Sequence, residues 1–266
     1  MTRTRTGRAR PGARATPAAA PEATAIAAGL ATFALACLWL GLTFPTGALD
    51  RAVAAFALGL RSAQADRVAV LVTMAGDADL LLWTMLATVA TLAAAGRGRL
   101  AADAAILFLA TPLAVAALKL AIGRPRPPSP FALPDAFAFP SGHATGAAVM
   151  LGALAALCLA DRPHARPGVR ALVWGAAAAG ALGVALSRVW LAAHWLSDTV
   201  AALGLALALS GWFAARARTD AASLGPGGAN PLLGPWLVAG YGFFWAVHVW
   251  TRFADASGLY AGAAAR

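Results

Sequence analysis

The chain is expected to be all-α, a polytopic bundle of transmembrane helices. Three observations point there. Of its 266 residues, 60% are hydrophobic and 12% are charged, with a mean hydropathy of +0.70; a soluble domain carries about twice that charged fraction. Apolar runs near the length that crosses a bilayer recur along the whole chain. The net charge of +10 comes with Arg-rich connectors, the pattern of cytoplasmic loops facing anionic headgroups, and no nucleic-acid-binding signature accompanies it. Cys37 and Cys158 lie inside apolar runs and read as core thiols, not as a disulfide.

Residues 1–22 hold Arg3, Arg5, Arg8, Arg10 and Arg14 and no acid before Glu22. They read as a disordered basic tail that keeps the start of the first span, Ala23–Phe44, in the cytoplasm. A cleavable signal peptide is the rival, but no cleavage site follows the apolar run. Leu49–Arg67 mixes charges with Val53, Phe56 and Leu60 at helical spacing, as an amphipathic helix on the outer surface would. Gly76–Ala95 and Leu100–Ile122 are the second and third spans, joined by the basic turn Gly96-Arg97-Gly98-Arg99. The prolines of Arg124–Pro130 exclude a helix there, so this loop folds back.

Ser141–Ala160 is the fourth span, with Pro140 as breaker and Ser141 as N-cap. Asp161–Arg170 is a basic loop. Ala171–Leu186 and His194–Ala215 are the fifth and sixth spans. Residues 219–230 form a Gly/Pro/Ser-rich linker. Leu232–Trp250 is an apolar aromatic run, read as a seventh span, with a helix resting at the interface as the alternative.

Alternating these spans from a cytoplasmic N-terminus puts the Arg-rich connectors inside. It also brings Lys119, Arg126, Ser141-Gly142-His143, Arg188 and His194 to one depth near the outer face. Three cations within a membrane are costly, about 2.5–3.5 kcal/mol each at a helix centre, and they repel one another, so an anion should bind among them. Arginine forks and a lysine point charge suit phosphate oxygens, and the unpaired N–H groups at the start of a helix at Gly142 and His143 suit them as well. His194 and Asp198 are four apart, on one helical face. A carboxylate there fixes the imidazole tautomer and presents the other nitrogen as nucleophile. His143 is then placed to protonate a leaving oxygen. The implied reaction is phosphoryl transfer to His194 followed by water attack.

Each residue alone has a plainer reading: Lys119 as a snorkelling anchor, Ser141 as a mere cap, His194 with Asp198 as a structural pair or metal ligands. Surrounding cations and the lack of a third acidic or Cys ligand speak against a metal, and no cofactor is indicated. Arg124 could touch substrate but reads by default as an extra surface arginine, His164 reads as solvated, and His248 as interfacial rather than catalytic. Asp77 and Asp79 read as helix-end residues that could also face the cations. Phe131, Phe137 and Phe139 could line lipid access or anchor the loop at the interface.

Lys119-x6-Arg126-Pro127, Pro140-Ser141-Gly142-His143 and Ser187-Arg188-x5-His194-x3-Asp198 resemble, in order and spacing, the three signature motifs of the type 2 phosphatidic acid phosphatase (PAP2) superfamily. The resemblance covers the second to the sixth span. It implies a six-helix core, with the C-terminal helix additional, and metal-independent hydrolysis of lipid phosphates or diphosphates. It assigns phosphate binding to Lys119, Arg126, Ser141, Gly142 and Arg188, the nucleophile to His194, its orienter to Asp198 and the general acid to His143. The expected organisation is a tail over 1–22, a transmembrane phosphatase domain over 23–218, a linker over 219–230 and a C-terminal apolar helix and tail over 231–266. The expected partners are membrane lipids and a lipid phosphate such as phosphatidic acid, phosphatidylglycerol phosphate or undecaprenyl diphosphate, met at the extracytoplasmic face of the cell membrane. A phosphotransferase, or a non-enzymatic lipid-phosphate binder or transporter, is the alternative. The soluble vanadate-dependent haloperoxidases share the pocket logic but not the spanning helices.

Overall fold

In a computed structural model, residues 21–129, 131, 137–225 and 228–261 are described. The expected basic tail lies outside them, apart from Pro21 and Glu22. These two begin α1 (Pro21–Thr43), with the proline in the first turn and the acid beside it, as a helix start favours. Then come α2 (Ala48–Gly59), α3 (Ala63–Thr73), a short 3-10 turn (Met74–Gly76) and α4 (Ala78–Ala94). The chain continues through α5 (Gly98–Ile122), α6 (Gly142–Ala160), α7 (Pro167–Trp190), α8 (Leu196–Ser223) and α9 (Leu233–Ala261). No strand occurs among the described residues.

Six helical stretches among them are long and apolar enough to cross a membrane: 21–40, 63–94, 98–122, 142–160, 167–190 and 196–223. α9 is not one of the six. It is nevertheless the expected seventh helix, and it runs the height of the bundle. A Cβ on Gly234 would stand 2.4 Å from the Cα of Cys158 near the end of α6, whereas His248 reaches Asp77 just before α4.

α6 is the central helix. Of its most apolar window 83% is buried, against 17% for α1 and α7, so α1 and α7 face lipid and α6 does not. Its run of Ala and Gly lets α4, α5, α7, α8 and α9 pack against it. The main core joins Leu92, Leu107, Leu154, Phe213 and Leu237 across these helices. Buried threonines in the spans satisfy their hydroxyls on their own helix: Thr84 donates to the Leu80 carbonyl at 2.9 Å, Thr88 to Thr84 at 2.8 Å and Thr111 to Leu107 at 2.7 Å. With no water available, this is the cheapest partner.

Two expectations change. Leu49–Arg67 is two helices, because Ser62 caps a new one by accepting from the Ala65 amide at 3.2 Å. Nor is this region merely a surface layer, since Asp50 is buried. The linker expected from residue 219 begins later, since α8 continues to Ser223. Asp220 holds that last turn by accepting from Arg97 Nε at 2.6 Å, while Arg97 also donates to Asp161 at 2.8 Å. This buried clamp joins the ends of α6 and α8 to the start of α5 and marks the pole of the bundle opposite the motifs.

Candidate active site

The motif residues gather at the other pole. Ser141 is the N-cap of α6, its hydroxyl accepting from the Ala144 amide at 3.5 Å. The Ser141 amide donates to the Asp198 carbonyl at 3.2 Å, so the starts of α6 and α8 are tied directly together. Gly142 and His143 form the first turn of α6, where amides have no intrahelical acceptor and the helix dipole is positive.

α7 delivers Arg188 in its last turn. The chain then reverses: Ala192 adopts φ +47°, in the left-handed region, and the amides of Ala193 and His194 both donate to the Arg188 carbonyl, at 3.0 and 3.2 Å. This hairpin fixes His194 relative to Arg188. The Arg188 guanidinium donates to Thr73 of α3 at 2.9 Å. Arg126 donates to the Ala193 carbonyl at 3.3 Å, which brings the first motif onto the same turn. α5 ends because Gly123 takes φ +62° and its amide returns to the Lys119 carbonyl at 2.9 Å, a conformation glycine adopts freely. Lys119 Nζ donates to the Phe137 carbonyl.

His194 is fully buried, and its pKa lies well below the usual 6.5. Burial is the main cause; the positive charges of Arg188, Lys119 and Arg126 add to it, followed by His143. Lys119 and His143 line one cavity, and Arg126 and Arg188 hold the turn that carries His194, so the cations and the two imidazoles lie at the same pole. The His194–Asp198 pair is looser than a hydrogen bond: Nδ1 stands 3.5 Å from Asp198 Oδ2 and has no hydrogen-bond partner. The Asp198 oxygens are engaged elsewhere, with the Trp195 amide at 2.8 Å and with Arg124.

Arg124 corrects the sequence reading. It is fully buried. Its guanidinium donates to Asp198, to Ser197 at 2.7 Å, to Asp50 at 2.6 Å and to the Pro45 carbonyl at 2.9 Å. Asp50 in turn accepts from the Ser197 amide at 3.0 Å and hydroxyl at 2.7 Å. This network anchors Asp198 from behind. His248 is not a bystander at an interface either: it binds Asp77, which also binds His143. Nothing in sequence spacing signals those pairs, although the possibility that Asp77 faces the cations was open. Phe139 is buried against Phe33 of α1, with ring centroids 6.3 Å apart, and Phe131 lies under Arg61 at 4.1 Å; both therefore serve packing. Among the described residues no group of three His, Cys, Asp or Glu is arranged to hold a metal ion.

A cavity of about 510 Å³ opens beside His143 and runs between α4, α5 and α6. Lys119, Gly142 and His143 form its polar end, and Leu81, Met85, Phe108, Val115, Val149 and Met150 are among its apolar walls. Leu82 and Leu109, also in its lining, are about half exposed on the outside of the bundle.

Comparison with known proteins places these elements. The family profile of the PAP2 superfamily matches residues 100–220, a segment that contains all three motifs. The fold is similar to the crystal structure of a transmembrane PAP2 type phosphatidylglycerolphosphate phosphatase from Bacillus subtilis. The TM-score is 0.61 and the identity 24%, over 70% of this chain and 94% of that one. At that identity the likeness is one of fold. No curated protein matches the chain.

Proposed function

We propose, because residues 100–220 match the profile of the PAP2 superfamily, that this chain is a membrane phosphatase that hydrolyses lipid phosphates or diphosphates at the pole of the bundle that carries the motifs. The reading is supported by Lys119, Arg126 and Arg188 lying at the same pole as the buried His194, whose pKa is lowered by burial first and by these charges second. Clustered cations favour a polyanion, and a neutral imidazole is the nucleophilic form.

The phosphate sits among Lys119, Arg126, Arg188 and the first turn of α6, with Ser141 and Gly142 shaping its floor. His194 Nε2 attacks phosphorus, since Nδ1 faces Asp198. The bond to the leaving oxygen breaks, and that oxygen takes a proton from His143. Water then attacks the phosphohistidine, its proton passes to His143, and the P–N bond breaks to release phosphate. The 3.5 Å separation of His194 and Asp198 shortens as positive charge develops on the ring; catalytic hydrogen bonds are often long before substrate binds. The groove between α4, α5 and α6 receives the acyl or prenyl chain, so the lipid keeps its tail in apolar surroundings.

The test is phosphate release by the purified protein from phosphatidic acid, phosphatidylglycerol phosphate and undecaprenyl diphosphate. His194→Ala and His143→Ala should each lose turnover by at least about 100-fold. Full activity in His194→Ala ends the nucleophile assignment. Transfer of phosphate to an added alcohol without free phosphate would make the protein a phosphotransferase instead.

A further inference from the structure

Asp77 and His248 lie outside the matched segment, one just before α4 and the other on α9. Asp77 Oδ1 is 3.0 Å from His143 Nε2, and its Oδ2 is 2.8 Å from His248 Nε2. An ionised carboxylate only accepts hydrogen bonds, so both rings donate from Nε2. That leaves Nδ1 as the one ring atom of His143 able to exchange a proton with a substrate.

The contact is held from two sides. A Cβ on Gly76 would stand 2.8 Å from the His143 carbonyl oxygen and 3.1 Å from its Cβ, so only glycine lets the turn before Asp77 lie this close to α6. On α9, Tyr241 donates its hydroxyl to the Ala75 carbonyl at 2.8 Å. Tyr241 and His248 are seven residues apart, on one face, and together they grip both ends of the Ala75–Asp77 turn.

We propose that Asp77 and His248 are positioning residues for His143, and that α9 thereby completes the reaction centre; this rests on the phosphatase reading above. Asp77 balances the charge of a doubly protonated His143 and keeps its Nδ1–H toward the substrate. When the phosphorus–oxygen bond breaks, that proton moves to the leaving oxygen, and His143 remains neutral with Nε2–H on Asp77. In the second half the attacking water returns a proton to Nδ1. His248 restrains the carboxylate so that it meets the ring in the plane of its N–H.

The experiment compares two substrates that differ in their need for an acid. The diacylglycerol oxygen of phosphatidic acid must be protonated as it leaves, whereas 4-nitrophenolate departs as an anion. The unmodified protein, Asp77→Asn, His248→Phe and His248→Gln are assayed on both in lipid nanodiscs, with thermal stability measured alongside. Asp77→Asn should lower kcat on phosphatidic acid by about 100-fold or more with KM little changed, and lower it far less on 4-nitrophenyl phosphate. His248→Phe should show the same bias, and His248→Gln, which replaces the ring N–H with an amide N–H, should recover most of the activity. Equal losses on both substrates in Asp77→Asn, or full activity of His248→Phe on phosphatidic acid, overturn the proposal. No turnover of either substrate by the unmodified protein overturns the phosphatase reading, and the proposal with it.

Discussion

His194 joins burial to function. The unfolded chain protonates a histidine near pH 6.5, whereas the folded ring resists protonation because it is buried and faces Arg188, Lys119 and Arg126. The neutral form therefore persists as pH falls through 6.5, and stability contributed by the neutral ring declines over that interval because the unfolded state takes up the proton first. Nitrogen NMR of labelled histidine in the intact protein should find one imidazole still neutral at pH 6. A His194 ring that titrates at the ordinary value would mean that the cations do not surround it. At this scale the sequence was a good guide wherever chemistry repeats at fixed spacing. Lys119, Arg126, Ser141, Gly142, His143, Arg188, His194 and Asp198 are singled out by spacing, and the chain brings them to one pole. Arg124 and Asp50 were not legible. Arg124 meets Asp198 across 74 residues and Asp50 meets Ser197 across 147, and no local pattern encodes such a pairing.

Helices were legible as apolar stretches, but their ends were not. Hydropathy marks the part of a helix that lies in lipid and misses the polar turns beyond it. α7 therefore starts at Pro167, where proline suits the first turn, and α8 runs on through Arg216, Arg218 and Asp220. The break between α2 and α3 escapes for another reason: charges recur in both, at Asp50, Arg51, Asp66 and Arg67, and the cap at Ser62 is a single-residue signal. Helix proximity is set by small residues. A Cβ on Gly204 would lie 2.7 Å from the Phe33 amide nitrogen, and one on Gly29 would lie 2.4 Å from that of Ala208, so α1 and α8 touch backbone to backbone. Gly204→Leu should force them apart at a cost of at least about 1–3 kcal/mol, read as a lower midpoint in detergent unfolding. An unchanged midpoint would show that α1 is loosely held.

The whole molecule has two unlike poles. One is closed by Arg97, Asp161 and Asp220 and borders the Arg-rich connectors, whereas the other gathers the imidazoles and cations. From the positive-inside tendency we propose that the first pole faces the cytoplasm. Single cysteines at Arg166 and Gln64, both exposed, test this with a membrane-impermeant thiol reagent in whole cells. The Gln64→Cys protein should be labelled from outside, and Arg166→Cys only after the membrane is opened. The reverse pattern would invert the orientation.

The groove between α4, α5 and α6 has exposed leucines in its lining, so on the phosphatase reading proposed above a lipid substrate approaches sideways without leaving its leaflet. Encounter is then a search in two dimensions. The variable that sets the rate is the mole fraction of substrate among surrounding amphiphiles, not its amount per volume of water. Adding inert detergent at fixed lipid should slow the protein in proportion, while diluting the micelles with buffer should leave its turnover per molecule unaltered.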